Sequence, residues 1–229
     1  MRNIFATTAN TDLFVNLCTS LEQRDAGIPG LGLICGPPGV GKSRTSIWYC
    51  DRVGAVFVRA LATATLRSFL EDLVIELNQE PAFRTADLYR QAERALSENR
   101  RLLVVDEIDR FISHWQSIEM LRDLSDRTGC SVLMVGMESS ERKLARFRHV
   151  YYRMKSHIMQ FTPLSEGDTR RFVDQVSEVE LADSAISEIY KISGGRVGDI
   201  VAEIYQAERI ARANDFSTIE GKHLKRRAA

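Results

Sequence analysis

No run of apolar residues in this sequence approaches the roughly 18 to 20 needed to cross a bilayer. Its opening stretch, from Met1 to Thr8, lacks the apolar core of a secretory signal. Net charge is absent too: Lys plus Arg and Asp plus Glu each number 31 in 229 residues. A dedicated nucleic-acid module usually carries a basic excess, so any contact with DNA has to come from a local patch, or from patches aligned by assembly. Cysteine is sparse. Cys18, Cys35, Cys50 and Cys130 are widely spaced with no CxxC pair, which speaks against a disulfide framework or a zinc site and for reduced thiols. The histidines at 114, 149, 157 and 223 show no ligand spacing, and no repeat or low-complexity tract is visible. The expectation is a cytoplasmic protein with no membrane partner.

What is present alternates between short apolar runs and helical periodicity, the pattern of a parallel sheet covered by helices. Strands are predicted at Leu31–Cys35, Ala55–Arg59, Leu102–Val105 and Ser131–Val135, with a weaker last one at His157–Phe161. Helices are predicted at 11–23, from Lys42 to about Asp51, and at 65–78, 85–98 and 115–127. After Pro163 no strand-like run follows. Amphipathic helices are expected near 165–178, 182–192, 198–213 and 217–226, the third burying Ile200, Val201, Ile204, Tyr205 and Ile210. The fold class is therefore α/β: residues 1–162 form a phosphate-loop core with a parallel sheet flanked by helices, and 163–229 a small all-helical lid.

The chemistry concentrates in two motifs. Gly36-Pro37-Pro38-Gly39-Val40-Gly41-Lys42-Ser43 is a complete GxxxxGK[ST], placed after an apolar strand and opening a helix; these eight residues and Arg44 are the expected nucleotide-binding set. Glycines let the loop curl so that its N–H groups converge on a phosphate chain, and the helix directs its positive end there. Lys42 is expected to reach the β/γ oxygens and the Ser43 hydroxyl to ligate Mg²⁺. The second motif is Asp106-Glu107 at the end of Leu102–Val105. Asp106 is expected to hold the metal, and Glu107 to orient and polarise an attacking water. Asp109 reads as a helix cap, and Trp48 and Tyr49 as core.

With GPPGVGKS, LLVVDEID and a helical C-terminal lid together, the sequence resembles the AAA+ ATPases. Within them it is most similar to the transposition regulators, the group of the phage Mu B protein, TnsC and TniB. The run Ile192-Ser193-Gly194-Gly195-Arg196-Val197-Gly198-Asp199-Ile200 and the phrase Phe161-Thr162-Pro163-Leu164-Ser165 carry that finer likeness. The resemblance implies ATP and Mg²⁺ as cofactors, hydrolysis to ADP and phosphate, and adenine flanked by Phe5 and Gly195–Val197. It also implies a homo-oligomer, as filament or ring, on double-stranded DNA without sequence preference, and a transposase as partner. Two positions depart from the pattern. The sensor tip reads Val135-Gly136-Met137-Glu138, and only Arg196 lies near the lid sensor position. Both point to slow turnover stimulated by DNA or a partner.

An arginine finger acting on a neighbour's nucleotide is expected in the segment from Arg142 to Lys155. Arg148 and Arg153 are the first choices and Arg146 the next. For DNA phosphates the candidates are Arg59, Arg67, Arg142, Lys143 and Arg146, with a further basic group at Lys222, Lys225, Arg226 and Arg227. Two other functions fit the same motifs: a helicase-loader-like ATPase, and an adaptor that uses ATP as a structural wedge with little turnover.

Overall fold

The computed structural model describes residues 1–25, 27–63 and 65–224. The chain divides into two compact units. One holds Leu13–Gly36 and Lys42–Gln160; the other holds Met1–Asp12, Pro37–Gly41 and the chain from Phe161 onward.

The first unit is built on strands β1 (Leu31–Cys35), β2 (Val56–Arg59), β3 (Leu103–Asp106), β4 (Val132–Val135) and β5 (Ile158–Gln160). All pair in parallel, in the order β2-β3-β4-β1-β5. Parallel neighbours need crossover connections, which helices supply. Helix α1 (Ala9–Glu22) precedes β1, and the crossovers run through α2 (Lys42–Val53), α3 (Leu66–Glu76), α4 (Thr85–Glu98), α5 (Trp115–Thr128), α6 (Ser140–Leu144) and α7 (Arg148–Met154). Alternation along each strand sends Leu33, Val58, Val105 and Met134 to one face, where they join Phe69, Leu73, Leu88 and Leu124 in a single core. On β1 the backbone of Gly32 runs so close beneath Leu21 that a Cβ there would meet its Cδ1 at 2.7 Å. Helix α3 opens with a capping box: Thr65 Oγ1 accepts from Ser68 N at 3.1 Å, and Ser68 Oγ accepts from Thr65 N at 2.9 Å.

Because all strands run the same way, their C-terminal ends share one edge of the sheet. Gly36 after β1, Arg59 on β2, Asp106 on β3 and Gly136 after β4 all lie along it. The pairing sets Arg59 directly opposite Asp106. Strand β4 separates β1 from β3, an arrangement that the linear pattern does not reveal.

The second unit packs α8 (Glu166–Val176), α9 (Asp183–Ser193), α10 (Val197–Asn214) and α11 (Gly221–Leu224) around Phe172, Ile186, Ile189, Ile200, Ile204 and Ile219. It is not purely helical. Strands β6 (Glu180–Leu181) and β7 (Thr218–Ile219) pair in parallel, and β7 occupies the start of the stretch expected as a helix over 217–226. Two-residue strands leave no periodicity to read. The end of that expected helix lies outside the described residues. On α10, Ile200 and Ile204 are fully buried, but Tyr205 is 51% exposed and lies under Arg209. One residue further round the helix from Ile204, it sits about 100° off the buried stripe. Two sequence phrases of this unit meet: Leu164 N donates to Gly195 O at 2.8 Å, and Gly195 has φ +76°. A Cβ on Gly195 would fall 2.2 Å from Leu164 O, so only glycine fits this approach.

Candidate nucleotide site

Strand β1 ends at Cys35, and the loop then turns through Gly39 and Gly41, whose φ angles of +81° and +93° favour glycine. The turn is tied to the start of α10, where Gly198 N donates to Gly39 O at 3.0 Å. Helix α2 begins at Lys42, and Ser43 stands half-buried in its first turn with Arg44 exposed beside it. The Lys42 ammonium donates to Gly36 O at 2.7 Å, curling over the loop that precedes it. Burial lowers its pKa, and the carboxylates of Asp106 and Asp109 act in the opposite sense. Lys42 is therefore within the electrostatic reach of Asp106 at the end of β3 and of Asp109 in the turn that follows.

Asp106 is 2% exposed. Its Oδ1 accepts from the N–H of Glu107 at 2.9 Å, and its Oδ2 from Arg59 Nε at 3.3 Å. A buried carboxylate needs such partners. Glu107 has φ +56°, uncommon for a residue with a side chain, and such strain costs on the order of 1–3 kcal/mol. Its carboxylate is partly exposed and lies 3.9 Å from Arg59 and 3.5 Å from Arg110. Asp109 acts as a clamp on the tip of β4. Its Oδ2 accepts from Met137 N at 2.6 Å, its Oδ1 from Ser140 Oγ at 2.7 Å, and Lys143 Nζ stands at 3.6 Å. It sits inside the short 3-10 turn Ile108–Arg110 and ties two segments together, so it is not the helix cap that the sequence suggests. Within the sheet-bearing unit a lysine, a small hydroxyl and a buried carboxylate form a donor set that suits phosphate oxygens with a hard divalent cation.

The remaining candidates are scattered. Arg67 pairs with Glu71 at 2.7 Å, bonds to the carbonyl of Phe83 and lies over its ring at 5.5 Å. Arg142, Arg146 and Arg148 are exposed and take part in no ion pair among the described residues. Arg153 is held by Asp126 at 3.2 Å and donates to His149 O. Arg196 pairs with Asp199 at 2.5 Å. Lys222 pairs with Glu220 at 2.8 Å, whereas Lys225, Arg226 and Arg227 lie outside the described residues. Sequence reasoning missed that Arg59 is bound to the acids of β3. Its only signal was that both residues end apolar runs, which became informative once the strand order was known.

Strand order, phosphate loop and strand-tip acids together define the class, a P-loop fold of the AAA+ type. The chain belongs to the AAA domain family, whose model matches residues 27–144. A Staphylococcus aureus protein described as a potential ATP-binding protein is 31% identical over 127 residues, which cover 52% of this chain and 46% of that protein. Among solved structures, the Aeropyrum pernix ORC2 protein in ADPNP–ADP complexes is similar with a TM-score of 0.76 at 12% identity, over 98% of this chain and 69% of that one. The A. pernix ORC1 protein in complex with DNA matches with a TM-score of 0.69 at 14% identity, over 95% of this chain and 63% of that one. Cdc6p from Pyrobaculum aerophilum gives 0.67 at 16% identity, over 92% and 63%. At these identities the likeness is one of fold. The chain thus spans less than half of the curated relative and under two thirds of the ORC1 and Cdc6p chains. No helix among the described residues is long and apolar enough to cross a membrane.

Proposed function

We propose that the chain binds ATP with Mg²⁺ at Gly36–Ser43, hydrolyses it slowly, and uses the bound state to assemble on duplex DNA as a regulator of transposition. The observation that carries the ATPase reading is the Asp106–Glu107 pair at the tip of β3, of which the buried Asp106 acts on the charge of Lys42. Amides of the loop and Lys42 bind and orient the phosphates, while Ser43 and Asp106 would hold the metal. Bound Mg²⁺ supplies charge neutralisation at the phosphate oxygens. Glu107, partly exposed beside a buried carboxylate, can accept the proton of an attacking water and fix its approach. An arginine from a second copy, Arg148 or Arg153, would complete the site.

DNA contact is supported by the fold shared with proteins solved on DNA, and by the exposed Arg142 and Arg146. The transposase partner rests on the likeness of the lid run 192–200 to that group; a helicase-loader role shares the same core. One observation favours the wedge-like adaptor as a second reading. At the β4 tip the Met137 N–H is already bonded to Asp109, and the methionine side chain has no strong donor for a phosphate.

Lys42→Ala and Glu107→Gln test the reading together, each assayed for nucleotide binding, turnover and DNA-dependent assembly. Lys42→Ala should lose ATP-dependent assembly. Glu107→Gln should bind ATP normally and turn it over about 10²- to 10⁴-fold more slowly. Unchanged turnover in Glu107→Gln would remove the catalytic assignment and leave the adaptor. Electron microscopy with DNA, with and without a non-hydrolysable analogue, distinguishes filament, ring and monomer.

A further inference from the structure

At the opposite edge of the sheet, where the strands begin, a cleft of about 630 Å³ opens beside Gly30 before β1, Leu102 before β3 and Ser131 before β4. Four arginines line it: Arg24, Arg100, Arg101 and Arg153. The acids on its walls are Glu22, Asp25 and Asp126. Asp126 is taken by Arg153 at 3.2 Å, and Glu22 accepts from the Tyr49 hydroxyl at 3.3 Å.

The other three arginines form no ion pair among the described residues. Among the described residues Arg24 bonds only to neutral acceptors: the carbonyls of Leu21, Ile28 and Gly129, and the Ser131 hydroxyl. These bonds fix its guanidinium in place, and none of them goes to a carboxylate. Arg101 is half-buried, and its Nε is a buried donor with no hydrogen-bond partner. Arg100 is exposed at the rim, its guanidinium beside Gly129. The positive field extends to the neighbouring core. Burial first, and the Arg24 charge second, push His157 below the ordinary imidazole range.

We propose that this cleft is a phosphate-binding site, separate from the phosphate loop, with Arg100 and Arg101 as the ligating groups and Arg24 as a fixed positive charge behind them. A guanidinium donor left without an acceptor in a buried place is costly, and an oxyanion is the partner that removes that cost. The planar fork of arginine matches phosphate oxygens two at a time. The volume falls in the range of small-ligand pockets and exceeds a bare phosphate ion. Its ligand therefore carries more than the phosphate itself, either as a small phosphorylated molecule or as a nucleic-acid backbone.

The test uses the full chain carrying Lys42→Ala, which removes phosphate binding at the loop. Calorimetry with pyrophosphate and anisotropy with a short labelled duplex are run on this protein and after adding Arg101→Gln or Arg100→Glu. Each added change should weaken pyrophosphate binding by about tenfold. A parallel drop in duplex affinity, with the salt slope reduced by about one, identifies the source as nucleic-acid backbone. An unchanged duplex affinity alongside weaker pyrophosphate binding identifies a small phosphorylated ligand. Should Lys42→Ala alone abolish pyrophosphate binding, or neither added change alter it, the site does not exist. Because Arg100 is exposed, Arg100→Glu stays informative even if Arg101→Gln fails to fold.

Discussion

Removing the Arg59 guanidinium should cost stability through Asp106, and the size of that cost can be worked from the geometry. The two groups stand 3.3 Å apart, with Asp106 side-chain exposure at 3% and Arg59 at 40%. At an effective dielectric of about 20, their gross attraction is about 5 kcal/mol. Solvent around Arg59 screens it, and desolvation of Asp106 opposes it, so about 1–2 kcal/mol should survive as coupling. A double-mutant cycle isolates that quantity. Arg59→Ala, Asp106→Asn and the double variant would be compared by urea unfolding of the sheet-bearing unit. Arg59→Ala should be clearly destabilising in the native background and nearly neutral beside Asp106→Asn. Additive effects, with coupling under about 0.3 kcal/mol, would refute the claim that Arg59 balances the buried acid. Adding Mg²⁺ and nucleotide should reduce the coupling, since a metal cation near Asp106 would replace the arginine as its counter-charge.

Asp109→Ala should destabilise by about 1–3 kcal/mol by orphaning the buried Ser140 hydroxyl, while water can take over the exposed Met137 N–H, as read from urea midpoints. A change below about 0.5 kcal/mol would mean that the β4 tip does not depend on it. Leu73→Ala, at a fully buried position where α3 packs on the sheet, should cost about 2–5 kcal/mol with little change in the denaturant slope. Burial pushes the thiol of Cys35 up to about 11 and that of Cys50 up to about 12, from 9.0. Unfolded thiols therefore ionise first, and stability should fall as pH rises above 9.0 toward those values. Replacing both with alanine should reduce that slope, to which the buried Cys18 and Cys130 also contribute; an unaltered alkaline slope would exclude Cys35 and Cys50 as contributors.

Much of the site was legible in the sequence because its signals are local. A phosphate loop is one contiguous turn whose glycines and lysine have fixed spacing, and β1 came out as Leu31–Cys35 in both readings. The helix over 85–98 likewise follows from a 3.6-residue period contained within it. Helices α6 and α7 were not legible. At five and seven residues they span too few turns for a period to register in a segment crowded with charge. The strands β6 and β7, two residues each, are shorter still.

The sequence alone determined the loop, the acids at the end of an apolar run, the parallel α/β class and the absence of a membrane-crossing stretch. Each is encoded within a few residues of itself. Only the tertiary structure decided that β4 lies between β1 and β3 and that Arg59 faces Asp106. It alone decided that Asp109 clamps Met137 and that Arg24, Arg100, Arg101 and Arg153, from three separate segments, line one cleft. Strand order is set by how whole strand–helix units pack, and a partner across the sheet leaves no mark on the spacing of its own segment.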